Sequence, residues 1–341
     1  MTSAARPAIV LRADASHDLG FGHVARLSAL IHEVERAGAD AIAMFGGDDA
    51  VAAWTQRQGI TAQVRAWAPD DLFAAAAEPR VRAVVVDGSA LAGTLLPTLA
   101  ARGIRSVLID DLGEVPLPVH AIVNHNFHAP SLGDGYPAAG RRLLGRRYLM
   151  LRHAMRRYAR GACHPIPTPR LRVVVTFGGS DPVGATARTL RVLPTDRLLD
   201  LIVVAGPGFR DLPALSAAAA AATAAGHTVD LVRDADDLGG LFARADAAIC
   251  SAGGTLGELA YLGCPALAFA IVPDQVAGAR AQVRAGLIAG GRSWSQLTDA
   301  ALRAELLAFL ASDQQRRDQR ERALATADAA GPARIVAEAL S

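Results

Sequence analysis

The chain has 341 residues, a formal net charge of +2 and 51% hydrophobic residues. That hydrophobic content excludes a disordered chain, and the length suits two domains with separate cores. Lys and Arg are scattered rather than massed, so nucleic acid and membrane surfaces lose their electrostatic case as partners.

In chain order, apolar runs predict strands near 7–13, 40–45, 82–87, 104–109 and 120–124, with helices near 22–37, 48–58 and 90–102. Such alternation implies a parallel sheet covered on both faces. The first strand passes into Leu19-Gly20-Phe21-Gly22-His23 and then an amphipathic stretch with Val24, Leu27, Leu30, Ile31 and Val34 on one face. Gly20 and Gly22 let backbone approach a ligand closely, and a helix beginning there aims free N–H groups and a positive dipole end at an anion. His23 adds a proton acceptor, which the same dipole disfavours as a cation. A bland alternative makes His23 only a helix-start residue. Gly20 to Ala25 also fits the relaxed dinucleotide fingerprint, with Asp48 where a ribose-binding acid falls. Asp14, at the end of the first strand, either binds a sugar hydroxyl or anchors the glycine loop. Arg26 either reaches a phosphate or pairs with an acid of its own domain.

Asp110-Asp111 closes a strand and is expected mainly to order loops. His125 and His128 have no third ligand at metal spacing, so no metal is expected. His17 and His32 are expected at the surface. The arginines Arg141, Arg142, Arg146, Arg147, Arg152, Arg156 and Arg157 read as a solvated face between domains. Residues 161–170, with three prolines, read as a stiff linker dividing a domain of residues 1–160 from one of residues 171–341.

Behind the linker, strands are expected near 171–176, 199–204, 228–233, 247–250 and 266–271, and a helical tail from about 296. Two doubly wound domains facing across a cleft follow, with ligands at the carboxyl ends of the strands. The string 246–265 is the second informative stretch. A buried strand ends in Ser251-Ala252-Gly253-Gly254, Thr255 opens a helix, and Glu258 lies one turn in. Loop N–H groups there suit a diphosphate, and a carboxylate at Glu258 suits the two hydroxyls of a ribose. The plainer alternative is a tight turn followed by an exposed helix charge. Asp234-Ala235-Asp236-Asp237 imitates a metal-binding D-x-D motif, but its place before a helix favours capping. Cys163, Cys250 and Cys264 form neither a disulfide framework nor a metal knuckle. The alanine tract 214–225 is too short for a membrane span, and the N-terminus lacks a signal-like apolar core. A cytoplasmic protein is expected, monomeric or weakly homo-oligomeric, without cofactor.

The C-terminal string resembles the nucleotide-sugar site of GT-B enzymes, especially the N-acetylglucosaminyltransferase that makes lipid II. Over nearly its full length the chain is still more similar to the UDP-2,4-diacetamido-2,4,6-trideoxy-β-L-altropyranose hydrolases of pseudaminic acid synthesis. The resemblance runs through Arg12-Ala13-Asp14-Ala15-Ser16, Gly20-Phe21-Gly22-His23, Arg26, Val85-Val86-Asp87, Ile109-Asp110-Asp111 and Asn124-His125-Asn126. It continues in Tyr148 to Arg152, Phe177-Gly178-Gly179-Ser180-Asp181-Pro182, Gly253-Gly254-Thr255, Glu258 and Gln275. It implies a GT-B-like fold and hydrolysis of a UDP-linked amino-deoxy sugar, with water activated by His23. It implies substrate contacts from Asp14, Gly20, Phe21, Gly22, Arg26, Asp87, Asn126, Gly179 and Ser180. Nucleotide contacts are implied from Ser251, Gly253, Gly254, Thr255, Glu258 and Gln275. The family's Asp-His-Tyr is Asp87-Gly88-Ser89 here, which implies a roomier pocket with fewer hydrogen-bonding groups. The alternative is a GT-B glycosyltransferase with another acceptor, and a third reading is an NAD-dependent oxidoreductase using the first glycine loop.

Overall fold

A computed structural model describes residues 5–16, 19–113, 116–163 and 169–341. The chain divides into two compact units, Met1–His153 with Asp328–Ser341, and Ala154–Ala327. Residues 164–168 of the expected linker lie outside the described residues.

Unit 1 contains β1 (Ala8–Asp14), α1 (Gly22–Arg36), β2 (Asp40–Gly46), α2 (Asp49–Arg57), β3 (Gln63–Val64), α3 (Pro69–Ala76), β4 (Val81–Asp87), α4 (Ser89–Ala101), β5 (Ser106–Ile109), β6 (Val119–Asn124) and β7 (Ala139–Leu144). Its seven strands lie in the order β3-β2-β1-β4-β5-β6-β7 and pair in parallel throughout. Alternate residues of the central strands face opposite layers. Ile9, Leu11, Val85 and Ile109 pack with Val24, Leu27 and Leu30 of α1, while Val10, Val84, Val86 and Leu108 pack with Leu95, Leu96 and Leu99 of α4. The β-branched runs of the sequence are thus buried on both faces, as a parallel sheet requires.

Unit 2 contains β8 (Leu171–Thr176), α5 (Ala185–Arg191), β9 (Leu199–Ala205), α6 (Leu212–Ala224), β10 (Thr228–Arg233), α7 (Leu238–Ala243), β11 (Ala247–Ser251), α8 (Thr255–Leu262), β12 (Ala266–Ala270), α9 (Gln275–Arg284), β13 (Ala289–Ser293), α10 (Asp299–Ala311) and α11 (Asp313–Thr326). Its sheet is β10-β9-β8-β11-β12-β13, again parallel. The helical tail divides: α10 and α11 stay with unit 2, whereas α12 (Gly331–Leu340) packs Ile335, Val336 and Ala339 into the core beside α1.

Both units are doubly wound, Rossmann-like α/β layers. Strand order reverses at β1/β4 in one and at β8/β11 in the other, the points where such sheets open a crevice at their carboxyl ends. Three strands lack an apolar run to announce them. β3 has two residues, and β7 (Ala-Gly-Arg-Arg-Leu-Leu) and β13 (Ala-Gly-Gly-Arg-Ser) are polar edge strands. Among the described residues no helix is long and apolar enough to cross a membrane.

Candidate active site

Register brings the chemistry of unit 1 to one edge. Ala13 pairs with Asp87, Asp87 with Ile109 and Ile109 with Val123. Asp14, Asp87, Asp110-Asp111 and Asn124-His125-Asn126 therefore sit side by side where the strands end. Between β1 and α1 the chain turns sharply. Gly20 has φ +75° and donates its N–H to Ser16 O at 2.8 Å, closing the loop. Phe21 holds the N-cap position without a side-chain cap, and α1 has no acidic residue in its first turn. The opening N–H groups of α1 thus keep their polarity for another partner. The side chain of Phe21, a residue that the resemblance places at the substrate, is buried, its ring 6.1 Å from Trp54.

His23 and Arg26 are one turn apart on α1 and converge on Asp87. The Asp87 carboxylate is 0% exposed and His23 is 30% exposed. Asp87 Oδ1 lies 2.8 Å from His23 Nδ1, and Arg26 donates to both Asp87 oxygens at 2.6 Å. Arg26 also donates to Asp111 Oδ2 at 2.7 Å, and Asn126 Nδ2 donates to Asp111 Oδ1 at 2.8 Å. An Arg26 nitrogen approaches His23 Nδ1 at 3.0 Å. A carboxylate oxygen can only accept, so the 2.8 Å contact with Asp87 takes Nδ1–H and leaves the Nε2 lone pair free. Of the two expectations for Arg26, pairing within its own unit is what the structure shows. Asp87 sits behind the imidazole as its anchor rather than at a surface a substrate can reach.

Burial opposes charge on Arg26, but Asp111 and Asp87 together hold the guanidinium above its ordinary pKa. Burial likewise works to raise Asp111, and Arg26 overrides it, keeping that carboxyl well below the usual carboxylate range. Asp110 does order loops, as expected: its Oδ2 accepts from Leu112 N, Gly113 N and Tyr136 OH. Asn124 donates to Tyr136 OH at 2.9 Å. Asp14 pairs with the buried Arg12 at 2.5 Å, and a Cβ on Gly46 would stand 1.8 Å from Asp14 Oδ1, so glycine keeps that carboxylate in place.

His125 is buried beside this network. Burial, reinforced by Arg26, pushes its imidazole from 6.5 down to about 4. The folded state therefore prefers the neutral ring. Its stabilising share is complete above about pH 6.5 and is lost as pH falls toward about 4. Unfolding free energy should fall across that window with a slope approaching about 1.4 kcal/mol per pH unit from this residue. Urea titrations of the wild type and His125→Asn over that range check it; equal slopes would refute it.

In unit 2 the crevice lies between β8 and β11, where Cys250 pairs with Thr176. Gly178 has φ +92°, and a Cβ there would face Ser251 Oγ at 3.9 Å. Gly254 is the uncapped N-cap of α8, Thr255 begins the helix, and Glu258 is buried in its first turn. An exposed helix charge is thereby excluded for Glu258. Gln275 accepts from Ile271 N at 3.0 Å, and its Nε2 would lie 3.2 Å from a Cβ on Gly253. Gly179 accepts from Gly208 N at 2.8 Å, and Ser180 borders Gly208. The structure thus gathers Gly178, Ser251, Gly253 and Gln275 at one point, with Gly179 and Ser180 against the turn after β9. That turn, Gly206-Pro207-Gly208, was missed in the sequence although glycines directly after an apolar run were its signal. Asp181, at φ +43°, is spent on Ala185 N and Thr186 N at the start of α5.

Several expectations need correcting. Asp48 accepts from Ala50 N and Val51 N as the cap of α2, which occupies the acid a dinucleotide site would need. The arginine cluster is not one solvated face, because Arg146 is buried near the Phe127 ring. His32 is not a plain surface residue; its ring stacks on His153 at 3.9 Å. His17 lies outside the described residues. Asp237 caps α7 through Gly240 N, as its position predicted. Among the described residues no group of three His, Cys, Asp or Glu could hold a metal ion.

No protein-family model matches the sequence, and no curated protein matches it. Solved structures do match. MurG of Acinetobacter baumannii is similar at 17% identity and a TM-score of 0.67, over 97% of this chain and 98% of that one. A putative UDP-N-acetylglucosamine 2-epimerase from Listeria monocytogenes matches at 11% identity and 0.65, over 98% and 96%. The glycosyltransferase SnogD from Streptomyces nogalater matches at 17% identity and 0.63, over 98% and 100%. The fold is accordingly GT-B-like, with both Rossmann-like units represented in these neighbours.

Proposed function

We propose that this protein is an enzyme acting on a nucleotide-linked sugar and that it transfers the glycosyl group to an acceptor hydroxyl. One observation carries the reading: His23 stands at the head of α1 with Nδ1 anchored by the buried Asp87 at 2.8 Å. In the reaction, Nε2 takes the acceptor proton while the acceptor oxygen bonds to the anomeric carbon. The bond from that carbon to the diphosphate oxygen breaks, and the nucleoside diphosphate leaves with the electron pair. The N–H groups around Gly253, Gly254 and Thr255 receive the diphosphate, and Glu258 takes the ribose hydroxyls. UDP is the favoured nucleotide, supported by the Listeria neighbour's description, and transfer is supported by SnogD.

Hydrolysis is the second reading, with water in place of the acceptor. It is favoured by the motif series from Asp14 to Gln275 and uses the same His23–Asp87 pair. Measuring UDP release from a panel of UDP-sugars, with and without added saccharide acceptors, separates the two. Release that needs an acceptor supports transfer, and equal release without one supports hydrolysis. The oxidoreductase reading loses its ribose acid to the α2 cap at Asp48.

The nucleotide assignment has its own check. Glu258→Gln keeps the side chain's volume and removes its charge, so UDP affinity should fall about tenfold, the scale of a charge-assisted hydrogen bond. Calorimetric titration with UDP measures this, and unchanged affinity would remove Glu258 from the site.

A further inference from the structure

Beside the His23–Asp87–Arg26 network, one group has no use in the mechanism above. His125 follows the carboxyl end of β6 and is buried, and its Nδ1 has no hydrogen-bond partner among the described residues. Buried polar atoms are almost always paired, and one left open at the edge of a reactive site is costly to maintain. Burial keeps the His125 ring neutral, and the ring feels the charges of Arg26, Asp111, Asp87 and Arg146, which places it against the same network.

Its neighbours are satisfied on one side only. Asn126 donates through Nδ2 to Asp111, and its backbone N–H donates to Asn124 Oδ1, which leaves the Asn126 side-chain carbonyl as an acceptor. Asp111 accepts one bond on each oxygen and is 27% exposed, so further lone pairs face outward. Arg26 has its donors directed at Asp87 and Asp111. What remains is rich in acceptors and holds a neutral imidazole.

We propose that His125, Asn126 and Asp111 form a subsite that reads the glycosyl group through its hydrogen-bond donors, hydroxyl or acylamino N–H, and discriminates against a carboxylated sugar. An anion there would meet the Asp111 carboxylate and the Asn126 carbonyl, while the donors of Arg26 are already directed at Asp87 and Asp111. The subsite rests on the function proposed above, which supplies the glycosyl group.

The test uses the whole chain and binding rather than turnover. Calorimetry gives Kd for UDP, UDP-glucose, UDP-N-acetylglucosamine and UDP-glucuronic acid, for the wild type, His125→Gln and Asn126→Ala. Thermal unfolding confirms that each variant is folded, and Asn126→Ala covers the case in which the buried position fails. The tighter of the two neutral sugars should bind the wild type better than UDP does, and UDP-glucuronic acid should not. Both variants should weaken that neutral sugar about tenfold while leaving UDP unchanged. If the variants keep the sugar's advantage over UDP, or no neutral sugar has one, the subsite is wrong while the function stands. If UDP itself fails to bind the wild type, the function is wrong and the subsite falls with it.

Discussion

Replacing His23 by Asn should cut kcat by about 10²–10⁴-fold, the range for losing a general base, while leaving the Kd for UDP within about twofold. The reasoning is geometric. His23 is one residue inside α1, its Nδ1 is held by Asp87 at 2.8 Å, and the ring is 30% exposed. Its task is to take a proton, and the base and ribose are bound by other residues of the chain. Steady-state kinetics with calorimetry on the same preparation measures both quantities. Full activity in the variant would reduce His23 to a helix-start residue, and lost UDP binding with normal kcat would make it a binding group.

Asp87 should show the largest effect on stability. Asp87→Ala removes a fully buried carboxylate and leaves the Arg26 guanidinium, itself deep in the unit, with Asp111 as its remaining anionic partner among the described residues. Removing one member of a buried ion pair costs about 3–5 kcal/mol, measurable as a lower urea midpoint. Asp87→Asn keeps the volume and isolates the catalytic part. Its amide presents an N–H to Nδ1, favouring the tautomer whose Nε2 carries the proton and cannot act as base. A folded Asp87→Asn protein with kcat reduced on the order of 10²-fold or more is expected. Wild-type turnover in that variant would show that the imidazole does not depend on Asp87.

Much of this arrangement was legible before the structure. The apolar runs marked ten of the strands because parallel strands are buried on both faces, and their β-branched content cannot be mistaken for a solvated helix. The edge strands β7 and β13 escaped because an edge needs only one apolar face, and theirs are interrupted by Gly and Arg. At the site, the glycine loop and His23 were visible because Gly and His have local reasons to be there. The role of Asp87 was not. It depends on the β1–β4 pairing, which sets a residue 64 positions away from His23 beside its ring. Arg26 was readable only as an alternative, since whether an arginine meets a phosphate or an acid is decided by strand register. His125 reads in the sequence only as half of an incomplete metal site, because a lone histidine becomes informative only when its burial and missing partner are known. Phe21 enters only through the resemblance, and its burial could not be read locally because it depends on α1 turning its ring toward Trp54.

The most direct test supplies the purified protein with a panel of UDP-sugars, amino-deoxy sugars included, in the presence of saccharide acceptors, and follows UDP release. NADH is titrated in parallel. Expected is UDP release well above the uncatalysed rate by the wild type, at least about a hundredfold slower release by His23→Asn, and UDP binding retained in both. Binding of NADH in preference to UDP, or UDP release that His23→Asn leaves unchanged, would contradict a nucleotide-sugar enzyme built on His23.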